Sequence, residues 1–166
     1  MTRFKIFAAV LLLLSSAVFA DDYPLQSDVA TIDGIVNAYY DVINGPPGYE
    51  FESERDRSLH APNAIITRVT PGGELVRHGL AAEHEPLSEP YDEGFFETEI
   101  GRIVEEYGNL AHVWSTFEIR NDPEGEVVSR GVNSITLYYY EDRWWIASWS
   151  TEQEGDEPLP DQYVTN

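Results

Sequence analysis

The chain has 166 residues, 30 acidic and 10 basic, for a formal net charge of −20. A surface this acidic repels phosphate backbones and anionic headgroups, which argues against a nucleic-acid or membrane-surface role. No cysteine is present, so neither disulfides nor thiolate metal sites support the fold and packing must do so.

Residues 1–20 read as an export signal. Arg3 and Lys5 precede an apolar run from Ile6 to Leu14, and small residues then lead to Val18-Phe19-Ala20, an A-x-A-like cleavage site. The run is shorter than the roughly 20 residues that span a bilayer, so no stable membrane anchor is expected after cleavage. The expected location is periplasmic or secreted. What remains suits one domain over residues 21–152, a size that buries about 68–70% of its unfolded surface, with 153–166 as an acidic, proline-containing tail.

Between Ser27 and Asn44 the residues Val29, Ile32, Ile35, Val36, Tyr39, Tyr40 and Ile43 recur at spacings of three and four. This predicts an amphipathic helix capped by Ser27 and ended by Gly45-Pro46-Pro47. "FESERDRSLHAP" predicts a short second helix closed by Pro62. "AIITRVT" and "ELVRHG", on either side of Pro71-Gly72-Gly73, predict two short strands. "GLAAEHEPLSEPYDEG" predicts a third helix, kept short by Pro86 and Pro90.

From Phe95 the apolar period changes to two. "FFETEIGRIVEEY" and "LAHVWSTFEIRND" flank Gly108-Asn109, a favourable hairpin turn, and two further strands flank Glu141-Asp142. A two-residue loop at Gly108-Asn109 pairs residues whose numbers sum to 217. One face then carries Phe96, Ile100, Val104, Ala111, Val113, Phe117 and Ile119, with Thr98, Arg102 and Ser115 among them. The other carries Glu97, Glu99, Ile103, Glu105, His112, Trp114, Thr116, Glu118 and Arg120. By apolar content the first is the inward face. An antiparallel sheet of about six strands, the last four long, packed on about three preceding helices, is the expected α+β fold.

"IVNAYYDVING", "SLHAPNAII", "GFFETEI", "GNLAHVWSTFEIR" and "RGVNSITLYYYEDRWWIASW", in this order over residues 28–152, resemble the nuclear transport factor 2-like (NTF2-like) superfamily, which includes SnoaL-like and ketosteroid-isomerase-like proteins. The resemblance implies a cone-like curved sheet around a pocket and frequent homodimers. It implies no single activity, because one fold hosts isomerases, dehydratases, cyclases and non-catalytic binders. Tyr39 resembles the oxyanion-donor tyrosine of the ketosteroid isomerases. The position of their carboxylate base falls near Thr67-Arg68, where no carboxylate exists and arginine cannot abstract a proton. Histidine in the related dehydratases directs attention to His60 and His112.

Polar residues on an apolar inward face mark a pocket or a satisfied core network. Arg102, Ser115, Asn133 and Tyr39, with Tyr40 as an alternative to Tyr39, are the candidate ligand-binding residues. His78 and His84 match no metal-binding spacing and read as a solvated loop, so neither metal nor cofactor is expected. On the outward face Trp114, Val132, Thr136 and Tyr138, joined by Trp145 and Trp149, form an apolar strip suited to a homodimer interface. The leading expectation is an exported domain that binds a small apolar or aromatic molecule. A lyase or isomerase using general acid-base chemistry, and a non-catalytic dimeric interaction module, are the alternatives.

Overall fold

A computed structural model describes residues 23–70, 72–156 and 158–164; the expected export signal lies outside them. Two short helices, α1 (Gln26–Val29) and α2 (Ile32–Asp41), stand where one was expected. Thr31 divides them because it is extended, and its side chain accepts from the Gly34 amide at 2.9 Å, so a new helix starts there and not at Ser27. A Cβ at position 34 would lie 2.4 Å from the Ser27 carbonyl oxygen, so the two turns fit only with glycine. The apolar side of α2 is buried through Ile35, Val36, Tyr39 and Tyr40.

Helix α3 (Ser53–Leu59) leads directly into β1 (His60–Val69). Pro62 therefore lies inside the strand and does not close the helix. Strand β2 (Leu75–Gly79), α4 (Leu80–His84) and a single 3-10 turn (Glu85–Leu87) follow. Four long strands complete the sheet: β3 (Phe96–Tyr107), β4 (Leu110–Arg120), β5 (Ser129–Tyr140) and β6 (Arg143–Gln153). A last turn of helix, α5 (Asp161–Val164), sits in the segment expected to be a tail.

The six strands lie in the order β2-β1-β6-β5-β4-β3. The sheet is mixed, which corrects the expected all-antiparallel arrangement: β1 runs parallel to β6, with Ile66 opposite Trp149. The long chain path between these strands removes the hairpin constraint and permits a parallel neighbour. Both sharp hairpins are two-residue turns. Tyr107 pairs with Leu110 across Gly108-Asn109, where Gly108 has φ +62°. Tyr140 pairs with Arg143 across Glu141-Asp142, which have φ +53° and +59°.

A bulge in β3 divides the expected face assignment. Arg102 pairs with Ser115 and Val104 with Val113, as the sum of 217 requires, but Glu97 pairs with Ile119 and Glu99 with Phe117. The extra residue near Ile100 reverses the side chains of everything before it. Glu97 is consequently buried at 7% exposure and Ser115 bonds to Glu99, whereas Thr98 is exposed. Gly101 sits in the bulge, where an added Cβ would come 2.3 Å from the Tyr163 carbonyl oxygen of α5. A second irregularity in β6, between Ile146 and Ser148, places Trp149 opposite Ile135 and buries it in the core instead of the outward strip. Within the core, Phe117, Ile135, Leu137 and Ile146 from the sheet pack against Val29, Ile35 and Leu59 from the helices.

Candidate functional site

The inner side of the sheet and the helices enclose a cleft of about 460 Å³. Its apolar walls come from Tyr39 on α2, Phe51, Tyr91 and Phe95 on loops, and Trp149 on β6. Local backbone pairing shapes the mouth. Gly45 and Phe95 exchange amide-carbonyl bonds at 2.9 Å, the Gly48 amide reaches the Tyr91 carbonyl at 2.7 Å, and the Tyr91 hydroxyl donates to the Ile43 carbonyl at 3.0 Å. These bonds tie the loop after α2 to the loop before β3. Tyr39 meets Trp149 edge-on, with centroids 5.7 Å apart.

Glu97 lines this cleft. Its backbone is clamped by Asn44, whose side-chain oxygen accepts from the Glu97 amide at 2.6 Å while its nitrogen donates to the Glu97 carbonyl at 2.9 Å. Burial raises the Glu97 carboxyl to about 7, since the charged form is poorly solvated there; Asn133, donating at 3.4 Å, works in the opposite direction. Near neutral pH this group exists in both forms and can donate or accept a proton. Burial, with Glu97 as the next contributor, holds the Tyr39 phenol well above its usual range, so it stays a neutral donor.

The second polar group is a histidine-carboxylate pair. His84 Nε2 lies 2.6 Å from Asp56 Oδ2, and both side chains are buried and border the cleft. A carboxylate oxygen accepts, so Nε2 donates, and Nδ1 is buried without a hydrogen-bond partner among the described residues. A carboxylate that fixes the tautomer and orientation of a histidine is the arrangement a general base requires. His84 is thus not in a solvated loop. His60 is buried behind the pair with Nδ1 2.8 Å from the Asp56 carbonyl, and burial lowers its pKa, which keeps the ring neutral.

Of the residues singled out from the sequence, Tyr39 borders the cleft and the other three belong to a hydrogen-bonded network beside it. Thr151 donates to the Asn133 side-chain oxygen at 2.6 Å, and Asn133 donates to the Tyr40 hydroxyl at 3.4 Å. Tyr40 and Ser115 are 2.6 Å apart, and Ser115 donates onward to Glu99. Arg102 closes the chain by binding Glu99, and it also reaches Asp33 and Asn37 on α2 at 2.7 Å each. Each side chain in this run has a hydrogen-bond partner, which is what a buried polar network needs to be stable. Arg102 and Ser115 do not border the cleft; Asn133 acts on it through Glu97. His112 is on the outer face, 2.9 Å from Ser134.

Glu97, Asp56 and His84 were not legible as site residues. The bulge that turns Glu97 inward leaves no mark in the alternation of "FFETEIG", and Asp56 and His84 meet across 28 residues of chain. Among the described residues no cluster of three or more potential ligands suits a metal ion.

On the outer face Trp114 is half-buried against Tyr163 of α5, with centroids 5.5 Å apart. Val132 is buried, Thr136 exposed, and Tyr138 stacks on Trp145 at 6.5 Å. The C-terminal segment therefore covers one end of the strip.

No family model and no curated protein matches the chain. Solved structures do. An NTF2-like protein of unknown function from Shewanella baltica is 13% identical, with a TM-score of 0.55 over 74% of this chain and 90% of that one. An NTF2-like protein of unknown function from Silicibacter pomeroyi is 16% identical, with a TM-score of 0.56 over 75% and 94%. The association domain of C. elegans CaMKII is 17% identical, with a TM-score of 0.56 over 73% and 92%. At these identities the likeness is one of fold, and the chain has the NTF2-like fold.

Proposed function

We propose that this chain is an exported NTF2-like domain that binds a small, neutral or cationic, largely apolar or aromatic molecule in the cleft between helices and sheet. The observation that supports it is the combination of ring-lined walls with a buried, half-titrated Glu97 and the Asp56–His84 pair. Few convergent polar groups in an apolar concavity fix a ligand's orientation while its body supplies the burial. Asp56, Glu83, Asp92, Glu93 and Glu97 border the cleft and, among the described residues, neither Lys nor Arg does, so an anionic ligand is disfavoured. The test is titration with 2-naphthol, followed by amide and Trp149 indole NMR shifts. Saturable shifts confined to Tyr39, Glu97 and Trp149 are expected; their absence overturns the reading.

A second reading, a lyase or isomerase, is favoured by one observation: Glu97 titrating near 7 faces the same space as an oriented histidine. Such pairs supply an acid and a base at neutral pH. Turnover of an enone or hydroxyketone panel with an inflection near pH 7, lost in Glu97→Gln, would support it. No turnover above buffer counts against it. Oligomerisation through the outer sheet face belongs to either reading, in keeping with the likeness to an association domain.

A further inference from the structure

We propose a second binding site, beside the first residues of β1 and β6, that takes the carboxylate of a small organic acid on Arg143. It is independent of the reading above, because it shares neither Glu97 nor His84 with that cleft.

Arg143 opens β6 and is only 9% exposed. Its guanidinium carbon lies over the Trp145 ring, 3.7 Å from the centroid. Nε donates to the Trp144 carbonyl at 3.2 Å and Nη2 donates to the Ser58 carbonyl. Those two bonds and the ring contact hold the group in place. A guanidinium has five N–H donors, so three are left after these bonds. Among the described residues no carboxylate forms an ion pair with Arg143. Its burial disfavours the charged form and Tyr138 works in the opposite direction, but among the described residues no carboxylate does, which is unusual in a chain with 30 acidic residues against 10 basic. A buried charge of this kind is costly unless a counter-charge arrives.

The surroundings provide the space for one. A cavity of about 850 Å³ opens beside Arg143, with apolar walls from Ala61, Ala64, Ile65, Leu80 and Trp145. Among the described residues no Asp or Glu lines it, although five acidic side chains line the other cleft. Arg57 supplies a second positive charge; it is loosely held by Glu54 at 3.7 Å and is 55% exposed. The two concavities are therefore opposite in sign within one acidic molecule. A planar fork held in place matches a carboxylate in bidentate geometry, and the apolar walls match a hydrocarbon body. An acid with both parts is the ligand class this site recognises. Inorganic phosphate lacks the apolar part.

The test uses sodium octanoate and its neutral analogue octanamide, titrated into the 15N-labelled protein. Octanoate is expected to shift the Trp145 indole N–H and the Arg143 side-chain N–H, with octanamide at least about tenfold weaker, since removing one member of a desolvated charge pair is expensive. Arg143→Gln, checked for folding by its amide spectrum, should lower octanoate affinity by about tenfold or more. If that variant does not fold, Arg143→Lys retains the charge without the planar fork and should still weaken binding. Equal binding of octanoate and octanamide overturns the proposal. So does unchanged affinity in a folded Arg143 variant, a response at Trp149 in place of Trp145, or no saturable binding at millimolar octanoate.

Discussion

Glu97→Gln tests whether the bulge in β3 really turns a carboxyl into a low-dielectric environment. Glutamine keeps the shape of the protonated acid and removes its titration. In the folded protein the carboxyl is raised to about 7 from an ordinary 4.5. The unfolded chain therefore loses its proton first, and between these two values the folded state holds more protons. Stability falls as pH rises through this window and levels off above about pH 8, because the slope depends on the difference in bound protons. A shift of this size corresponds to about 3 kcal/mol at roughly 1.4 kcal/mol per pH unit. The wild type and variant should be close in stability near pH 4.5. At pH 8 the variant should be more stable by about 3 kcal/mol, or roughly 6–12 °C in Tm for a chain of this length. Urea unfolding followed by tryptophan fluorescence from pH 4.5 to 9 measures the difference. A pH-independent difference between the two proteins would refute the burial argument, as would an advantage of the variant that grows on acidification.

Three further outcomes follow from the packing. Asn133→Leu removes the donor that favours ionised Glu97, so the Glu97 carboxyl should move higher still, seen in its 13C titration; an unchanged midpoint would disconnect the two residues. Phe117→Ala opens a void in the core where the ring is 2% exposed and should cost about 3–5 kcal/mol in chemical unfolding. Trp114→Glu puts a charge on the outer sheet face and should convert a wild-type dimer to monomer in light scattering; a wild-type monomer, or an unchanged dimer, would remove that face as the interface.

The elements themselves were legible because each rests on local chemistry. The three-and-four spacing of Ile35, Val36 and Tyr39 produced α2, and the alternation of Ala111, Val113, Ser115 and Phe117 produced β4 with its inward side as expected. Gly108-Asn109 set a two-residue turn and with it the register of the hairpin from Gly101 to Thr116. Beyond that bulge the same pattern misassigned Glu97 and Glu99, because a single inserted residue reverses the faces without altering composition.

The order of the main helices and strands, the Gly108-Asn109 turn, and the presence of polar groups on an inward face were properties of the sequence by itself, since they depend on neighbours a few residues apart. The candidate sites were decided by tertiary structure alone. Asp56 meets His84 from 28 residues away, Tyr40 reaches Ser115 from 75, and Arg143 finds the Ser58 carbonyl from 85. Burial, the absence of a counter-charge and the pKa of Glu97 are set by what packs around each group in space, and no sequence spacing encodes that.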